Sequence, residues 1–312
     1  MTTTAGLAVH LCGVRLRNPL VLAAGILGTT ADLLERVARS GAGAVTSKSC
    51  GPVPRRGHPN PTVIPWEGGL INAVGLANPG AEAMVEILRE ARSRCAPLGV
   101  PVVASVFGDT ADAFGDVVRT LEAAAPDFYE VNISCPNVAT EFGRPFAADP
   151  AQAAAATSAV RAATRRPVIV KLSANVPDIV AVGRAVVDAG ADAIAAINTV
   201  GPGMVIDIRA RAPILANAVG GLSGPAIRPV AVRCVYELTR ALPVPVIGMG
   251  GVTTGEDAVE MIMAGASAVG VGSAFYYRGM AAMSLIAGEL AAFMSEQGFP
   301  DVEAMRGLAH VT

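Results

Sequence analysis

The sequence predicts an α/β fold, a (β/α)8 TIM barrel with long loops over the C-terminal face of the strands, on three observations. Eight short, continuous apolar runs recur along the 312 residues, Ala-rich amphipathic segments separate them, and glycine clusters follow the seventh and eighth runs. Continuous apolar runs are those of strands covered on both faces, and their alternation with helical sequence is that of repeated crossover units around a parallel sheet. No linker of shifted composition interrupts the series, so residues 1–312 are read as one barrel domain.

In chain order the runs are PLVLAA (19–24), GAVTS (43–47), PVVASV (101–106), YEVNIS (129–134), PVIVKL (167–172), AIAAIN (193–198), PVIGMG (245–250) and SAVGVG (267–272). Segments 30–40, 81–95, 112–124, 149–164, 177–189, 226–241 and 255–264 read as the helices between them. Thr110 is placed to cap the third helix, and Asp149 with Pro150 gives the fourth an N-cap followed by proline in the first turn. An open doubly wound sheet would carry its glycine-rich phosphate turn after the first strand. That strand ends in Ala24-Gly25-Ile26-Leu27-Gly28, which does not match GxGxxG, whereas glycines after strands seven and eight are where barrels hold phosphate. Long connections at 49–80, 135–148 and 199–225 all fall on the C-terminal face, where barrel active sites form.

Composition agrees with this architecture. Apolar residues make up 52% and aromatics only 4%, so the core is built from Ala, Val, Leu and Ile, as barrel layers require. With 24 Lys and Arg against 26 Asp and Glu, the chain has no basic surplus for nucleic acid. The uncharged run from Met261 to Tyr277 is too short to span a bilayer and contains Gly265, Gly270 and Gly272, so it reads as a helix end followed by a buried strand. The first residues, MTTTAGLAVHLCGVRLR, lack a basic leader ahead of an apolar stretch, and no CxxC pair occurs among Cys12, Cys50, Cys95, Cys135 and Cys234. These features lead to the expectation of a cytoplasmic protein with free thiols and no zinc or iron–sulfur site in this chain.

Candidate functional residues stand at the strand ends. Lys171 interrupts VIVKL where both faces should be covered, and a buried lysine is costly unless paired or neutralised. It reads as an anion or cofactor ligand, or as a Schiff-base amine. Lys48, in TSKSC, is either a surface lysine or a member of the site beside the long loop. Asn72, Asn132, Asn137 and Asn198 gather amide donors and acceptors suited to a small planar ligand with imide and carboxylate groups. Cys135 follows the fourth strand and is either an inert thiol or a proton acceptor or nucleophile. Gly248, Gly250 and Gly251 in GMGG, with Gly270 and Gly272 in GVGS and Ser273 after them, offer bare amides to a phosphate.

Taken together, NISCPN, the SKS lysine, INAVGLANPG, VIVKL, INT, ANAVGGLSGPAIRPVA, IGMGG and GASAVGVGSA, in order from Asn18 to Phe275, resemble the dihydroorotate dehydrogenase family. The chain is most similar to the catalytic subunit of the cytoplasmic NAD-linked class (class 1B). A cysteine in the base position separates it from the membrane-associated class, which uses serine. The resemblance implies oxidation of (S)-dihydroorotate to orotate in UMP biosynthesis, with one FMN per chain. Cys135 would take the C5 proton while hydride passes from C6 to N5 of FMN. Lys171 would face the N1/C2 side of the flavin, and Lys48 the junction of flavin and substrate.

Further flavin contacts are implied at Ala24, Ser49, Ser105, Asn132 and Ile197. Gly224, Gly250, Gly251, Gly272 and Ser273 would hold the ribityl phosphate region. Asn72, Asn132, Asn137, Asn198 and Thr199 would hold the pyrimidine and its carboxylate, with Ala73, Val74, Gly75 and Leu76 completing that wall and Lys48 bordering it. The family also implies a homodimer and a separate electron-transfer subunit with FAD and [2Fe–2S], forming a heterotetramer.

Ala24 and Ser105 stand where members often read ASG and AN, and the loop VATEFGRPF (138–146) is unlike the usual glycine-rich lid. The competing readings are a dihydropyrimidine dehydrogenase-like reductase acting on uracil, a flavin-free Schiff-base aldolase using Lys171, and an FMN-binding barrel without turnover.

Overall fold

The structure is a computed structural model that describes residues 5–133 and 146–311. Eight parallel strands form the centre: β1 (Leu20–Leu22), β2 (Val45–Thr46), β3 (Val102–Val106), β4 (Phe128–Asn132), β5 (Val168–Leu172), β6 (Ala193–Ala196), β7 (Val246–Met249) and β8 (Ala268–Val271). They are hydrogen-bonded in the order β1-β8-β7-β6-β5-β4-β3-β2. The gap between β2 and β1 is closed by the parallel bridge Val21 to Ala44, with the Leu22 amide on Ala44 O at 3.0 Å and the Gly43 amide on Leu20 O at 2.7 Å. Seven of the strands fall within their apolar runs and β4 starts one residue before its own, at Phe128, so the barrel expectation holds.

The crossover helices are α1 (Ala31–Arg39), α2 (Ala81–Cys95), α3 (Ala111–Leu121), α4 (Pro150–Ala163), α5 (Ile179–Asp188), α6 (Arg228–Ala241) and α7 (Gly255–Met263). Thr110 Oγ1 accepts from the Ala113 amide at 3.2 Å, and Asp149 Oδ1 from the Ala151 amide at 2.8 Å, satisfying first-turn donors that would otherwise be unpaired. Two further helices, α8 (Ala274–Arg278) and α9 (Ala282–Gln297), follow β8. The uncharged run 261–277 resolves into the end of α7, strand β8 and the start of α8. Among the described residues no helix is long and apolar enough to cross a membrane. The core is almost wholly aliphatic, and its largest fully buried side chains include Tyr129, Phe114 and Phe128.

Three local features depart from the sequence expectation. Strand β2 is only two residues long, because the chain bulges at Lys48: Ser47 and Cys50 bond to Val103 O and Ser105 O, while the Lys48 amide turns to Gly28 O at 2.8 Å. Gly28 permits this approach, since a Cβ there would lie 2.6 Å from Thr46 O and 2.7 Å from Lys48 N. Second, Val9–Leu11 and Val14–Leu16 form an antiparallel hairpin through Cys12 and Gly13, both at positive φ (48° and 81°), as a tight two-residue hairpin turn requires. Cys12 Sγ reaches Asp192 O, just before β6, so this hairpin lies at the N-terminal end of the barrel.

Third, the loops after β2 and β6 are not irregular. They combine into a four-stranded antiparallel sheet in the order Val200–Gly203, Gly220–Ser223, Gly69–Asn72, Val63–Trp66, with a smaller pair, Ile206–Asp207 and Ala212–Pro213, beside it. Ile64, Ile71, Ala73 and Leu215 give this sheet a separate small core.

Candidate active site

A cavity opens at the C-terminal ends of the strands, the end at which barrel enzymes assemble their sites. Lys171 enters it from β5, in register with Asn132 on β4 and Ala195 on β6. Parallel partners point to one side of a sheet, so the lysine and the asparagine project together. Lys171 is only 5% exposed, and its Nζ makes no hydrogen bond or ion pair among the described residues. Lys48, brought in by the β2 bulge, is 8% exposed on the same wall.

Asn132 and Asn198 meet at the end of β4 and the loop after β6. Asn198 Nδ2 donates to Asn132 Oδ1 at 3.4 Å, and Asn198 Oδ1 accepts from the Thr199 amide at 2.8 Å. Asn132 Nδ2 donates to Ser49 Oγ at 3.1 Å. Asn175, after β5, clamps the neighbouring backbone by donating to Thr199 O at 3.2 Å and accepting from the Gly201 amide at 3.0 Å. On the opposite wall, Asn72 Nδ2 donates to Gly221 O at 3.3 Å, tying one strand of the loop sheet to another.

The stretch Val74-Gly75-Leu76 is held by its neighbours. Gly75 and Leu76 have φ of 73° and 56°, and a Cβ on Gly75 would lie 2.5 Å from the His58 ring. Asn78 Nδ2 donates to Leu76 O at 2.7 Å, while its Oδ1 accepts from the amides of Gly80 and Gly51. One buried asparagine thus sets the shape of that wall.

Gly250 and Gly251 after β7, with Gly272 and Ser273 after β8, line the far end. Among the described residues their amides have no acceptor in the protein. Gly250 and Gly251 take φ of 137° and 75°, and a Cβ on Gly251 would meet Gly224 O at 2.7 Å, so the turn closes only with glycine. Behind it, Asp257 accepts from Thr253 and Thr254, pairs with Arg228 and completes a capping box with Thr254 at the start of α7. Burial raises the Asp257 pKa, but those hydrogen bonds and the guanidinium outweigh it and hold the carboxyl below its usual value. A lysine amine, a cluster of amides and a set of unspent backbone N–H groups in one cavity suit an anionic, ring-bearing ligand.

The model of the family described as dihydroorotate dehydrogenase matches residues 6–294. The chain belongs to the dihydroorotate dehydrogenase family. It is 49% identical over 301 residues to the protein named dihydroorotate dehydrogenase B (NAD(+)), catalytic subunit, of Methanosarcina mazei, covering 96% of this chain and 94% of that one. Proteins of the same name from Methanothermobacter thermautotrophicus and Pyrococcus abyssi are 45% and 44% identical, over 97% of this chain and 98% and 99% of theirs.

For a dihydroorotate dehydrogenase family member, the residues selected from sequence are largely gathered at one place. Ala24, Lys48, Ser49, Asn132, Lys171 and Ile197 line the cavity, as do Gly224, Gly250, Gly251, Gly272 and Ser273. Asn72, Val74, Gly75, Leu76, Asn198 and Thr199 line it too. Ser105 does not: it is fully buried one layer behind, bonded to Ser49 and Glu130. Ala73 points into the small core of the loop sheet. Cys135 and Asn137 lie outside the described residues. Sequence reasoning missed Val63 and Leu70, which the loop sheet folds over the cavity, and Ile26, Ser223, Ile227, Met249 and Val252. Ser223, in the GGLSGP run beside Gly224, was the one with a legible signal.

Proposed function

We propose that the chain holds one FMN in this cavity and oxidises (S)-dihydroorotate to orotate as a step of de novo UMP biosynthesis in the cytoplasm. The observation that carries the reading is Lys171, a buried lysine without a protein partner among the described residues, set between the asparagines and the glycine amides. Its amine opens onto the cavity with donors to spend, and an anionic ligand seated there would take them. The residues present fit FMN: unspent amides at Gly250, Gly251, Gly272 and Ser273 suit its phosphate, and Lys171 suits an electron-rich ring edge. When bound, FMN supplies the two-electron acceptor for the hydrogen at C6 of the substrate.

The protein's own groups do the rest. Asn72, Asn132, Asn198 and Thr199, with Asn137 from the adjoining loop, bind the pyrimidine and its carboxylate. Lys48 adds positive charge beside them. The amides of Val74, Gly75 and Leu76 close the wall, and Val63 and Leu70 give it an apolar border. Cys135 is the base that removes the C5 proton; a thiol acts as a base only as thiolate, so turnover rises with pH. The names of the relatives support a separate electron-transfer subunit, read here as one with FAD and [2Fe–2S] that reduces NAD+, assembled on a homodimer of this chain as a heterotetramer.

The test is an anaerobic visible spectrum of the purified protein. A yellow protein that bleaches on addition of dihydroorotate but not of dihydrouracil is expected, and Cys135→Ala should keep the colour while losing most turnover. A colourless protein, or a flavin that dihydroorotate leaves oxidised, overturns the reading.

A further inference from the structure

Beneath the cavity a buried carboxylate has no part in the chemistry above. Glu130 stands on β4 two residues before Asn132, so both side chains project to the barrel interior, and Glu130 is only 3% exposed. Ser105 faces it in register from β3 and is fully buried. A continuous chain of hydrogen bonds climbs from it. Ser105 Oγ lies 2.9 Å from Glu130 Oε1, Ser49 Oγ 2.8 Å from Ser105 Oγ, Asn132 Nδ2 3.1 Å from Ser49 Oγ, and Asn198 Nδ2 3.4 Å from Asn132 Oδ1. The Ser105 amide also donates to Ser47 Oγ at 3.1 Å, which fixes the middle of the chain.

The direction of this chain follows from its lower end. A carboxylate accepts and cannot donate, so the single hydroxyl proton of Ser105 is committed to Glu130. Ser105 Oγ is then an acceptor, and Ser49 commits its own proton downward. Ser49 Oγ is left to accept, which forces the nitrogen end of the Asn132 amide onto it and turns Oδ1 towards Asn198. An amide whose two ends are alike in shape is thereby held in one of its two flips, leaving one N–H and one lone pair of Asn132 unspent by the described residues.

We infer that Glu130 is a positioning residue for substrate recognition: through Ser105 and Ser49 it fixes which end of the Asn132 amide meets the pyrimidine. The inference rests on the cavity being a dihydroorotate site. Replacing Glu130 by glutamine keeps size and shape but adds a donor, so the chain can run either way and the amide loses its fixed orientation.

Orotate affinity is read from the perturbation of the flavin spectrum, beside steady-state kinetics, for Glu130→Gln, Ser105→Ala and the double variant. Each single variant should weaken orotate binding and raise KM for dihydroorotate about tenfold or more, with flavin content retained and kcat within about threefold. The double variant should be no weaker than the worse single one, because both act through one chain. A merely structural role would lower Tm without this split between KM and kcat. Orotate affinity within about twofold of the parent in both singles, or effects that multiply in the double, overturns the inference. If Glu130→Gln does not fold, Ser105→Ala decides alone. A parent protein that neither binds orotate nor is reduced by dihydroorotate instead defeats the proposed function, a different outcome from unchanged variants of an active parent.

Discussion

Lys171 stands directly across from Asn132 in the β4–β5 register, so a buried amine and a buried-side amide leave adjacent strands side by side at the cavity floor. The lysine is buried as a residue but its amine opens onto the cavity, so its partner is to come from what the cavity holds. Lys171→Met, similar in length and apolar, should leave the ligand-free chain at least as stable as the parent. It should also lower kcat by about 100-fold, the scale of a lost electrostatic group at a reacting centre. Thermal unfolding of the apo form and steady-state assays check both halves.

The β2 bulge gives a second prediction. A methyl group on Gly28 would collide with the backbone of residues 46–48, which has no room to move because Ser47 and Cys50 are bonded to β3 on either side. Gly28→Ala should cost about 1–3 kcal/mol and displace Lys48, raising KM more than it lowers kcat. Urea denaturation and a KM-to-kcat comparison measure it.

Acid should loosen the glycine end of the cavity through Asp257. Its folded pKa lies below the unfolded value of about 3.9, so its stabilising contribution is complete above that pH and is lost as the pH falls through the folded value. Asp257→Asn should be less stable than the parent at pH 7, and the gap should narrow as the pH approaches 3. Denaturation midpoints across that range report the difference, as does flavin retention on gel filtration.

Four buried or half-buried thiols should be silent at neutral pH. Burial pushes Cys12 up to about 11, with Asp192 adding to it, and Cys95 to about 11, with Glu35 adding. Burial takes Cys50 to about 12 and also raises Cys234. Brief iodoacetamide treatment of the native chain at pH 7.5 should leave all four unlabelled, and peptide mapping after unfolding in urea should show them reactive. Early labelling at Cys135 that orotate suppresses would support its assignment as the base.

The barrel was legible because the strands lie in short, largely apolar runs and some crossover helices carry their own start signal, as at Thr110 and Asp149. Lys171 was legible for the converse reason, a charge in such a run. Glu130 interrupts YEVNIS in the same way, but a charge so near the start of a strand also fits an exposed strand end, and only the register with Ser105 shows that it is buried. The loop sheet was not legible at all: VIPW, GLIN, VGPG and GGLS are short and rich in Gly and Pro, and their pairing is decided by distant partners rather than by local pattern. Ser105 moved from the cavity wall to the layer behind it because Ser49, carried in by the bulge, occupies the front.

That loop sheet also orders events during synthesis. Asn72 bonds to Gly221, 149 residues later, so the roof of the cavity cannot close while the first half of the chain alone is outside the ribosome. At bacterial to eukaryotic elongation rates of roughly 5–20 residues per second, the strand Gly69–Asn72 waits about 7–30 s for its partner. Through that interval Ile64, Ile71 and Trp66 have no partner strand at Gly220–Ser223 beside them, so an apolar hairpin that later roofs the cavity stays open to misplaced contacts during synthesis.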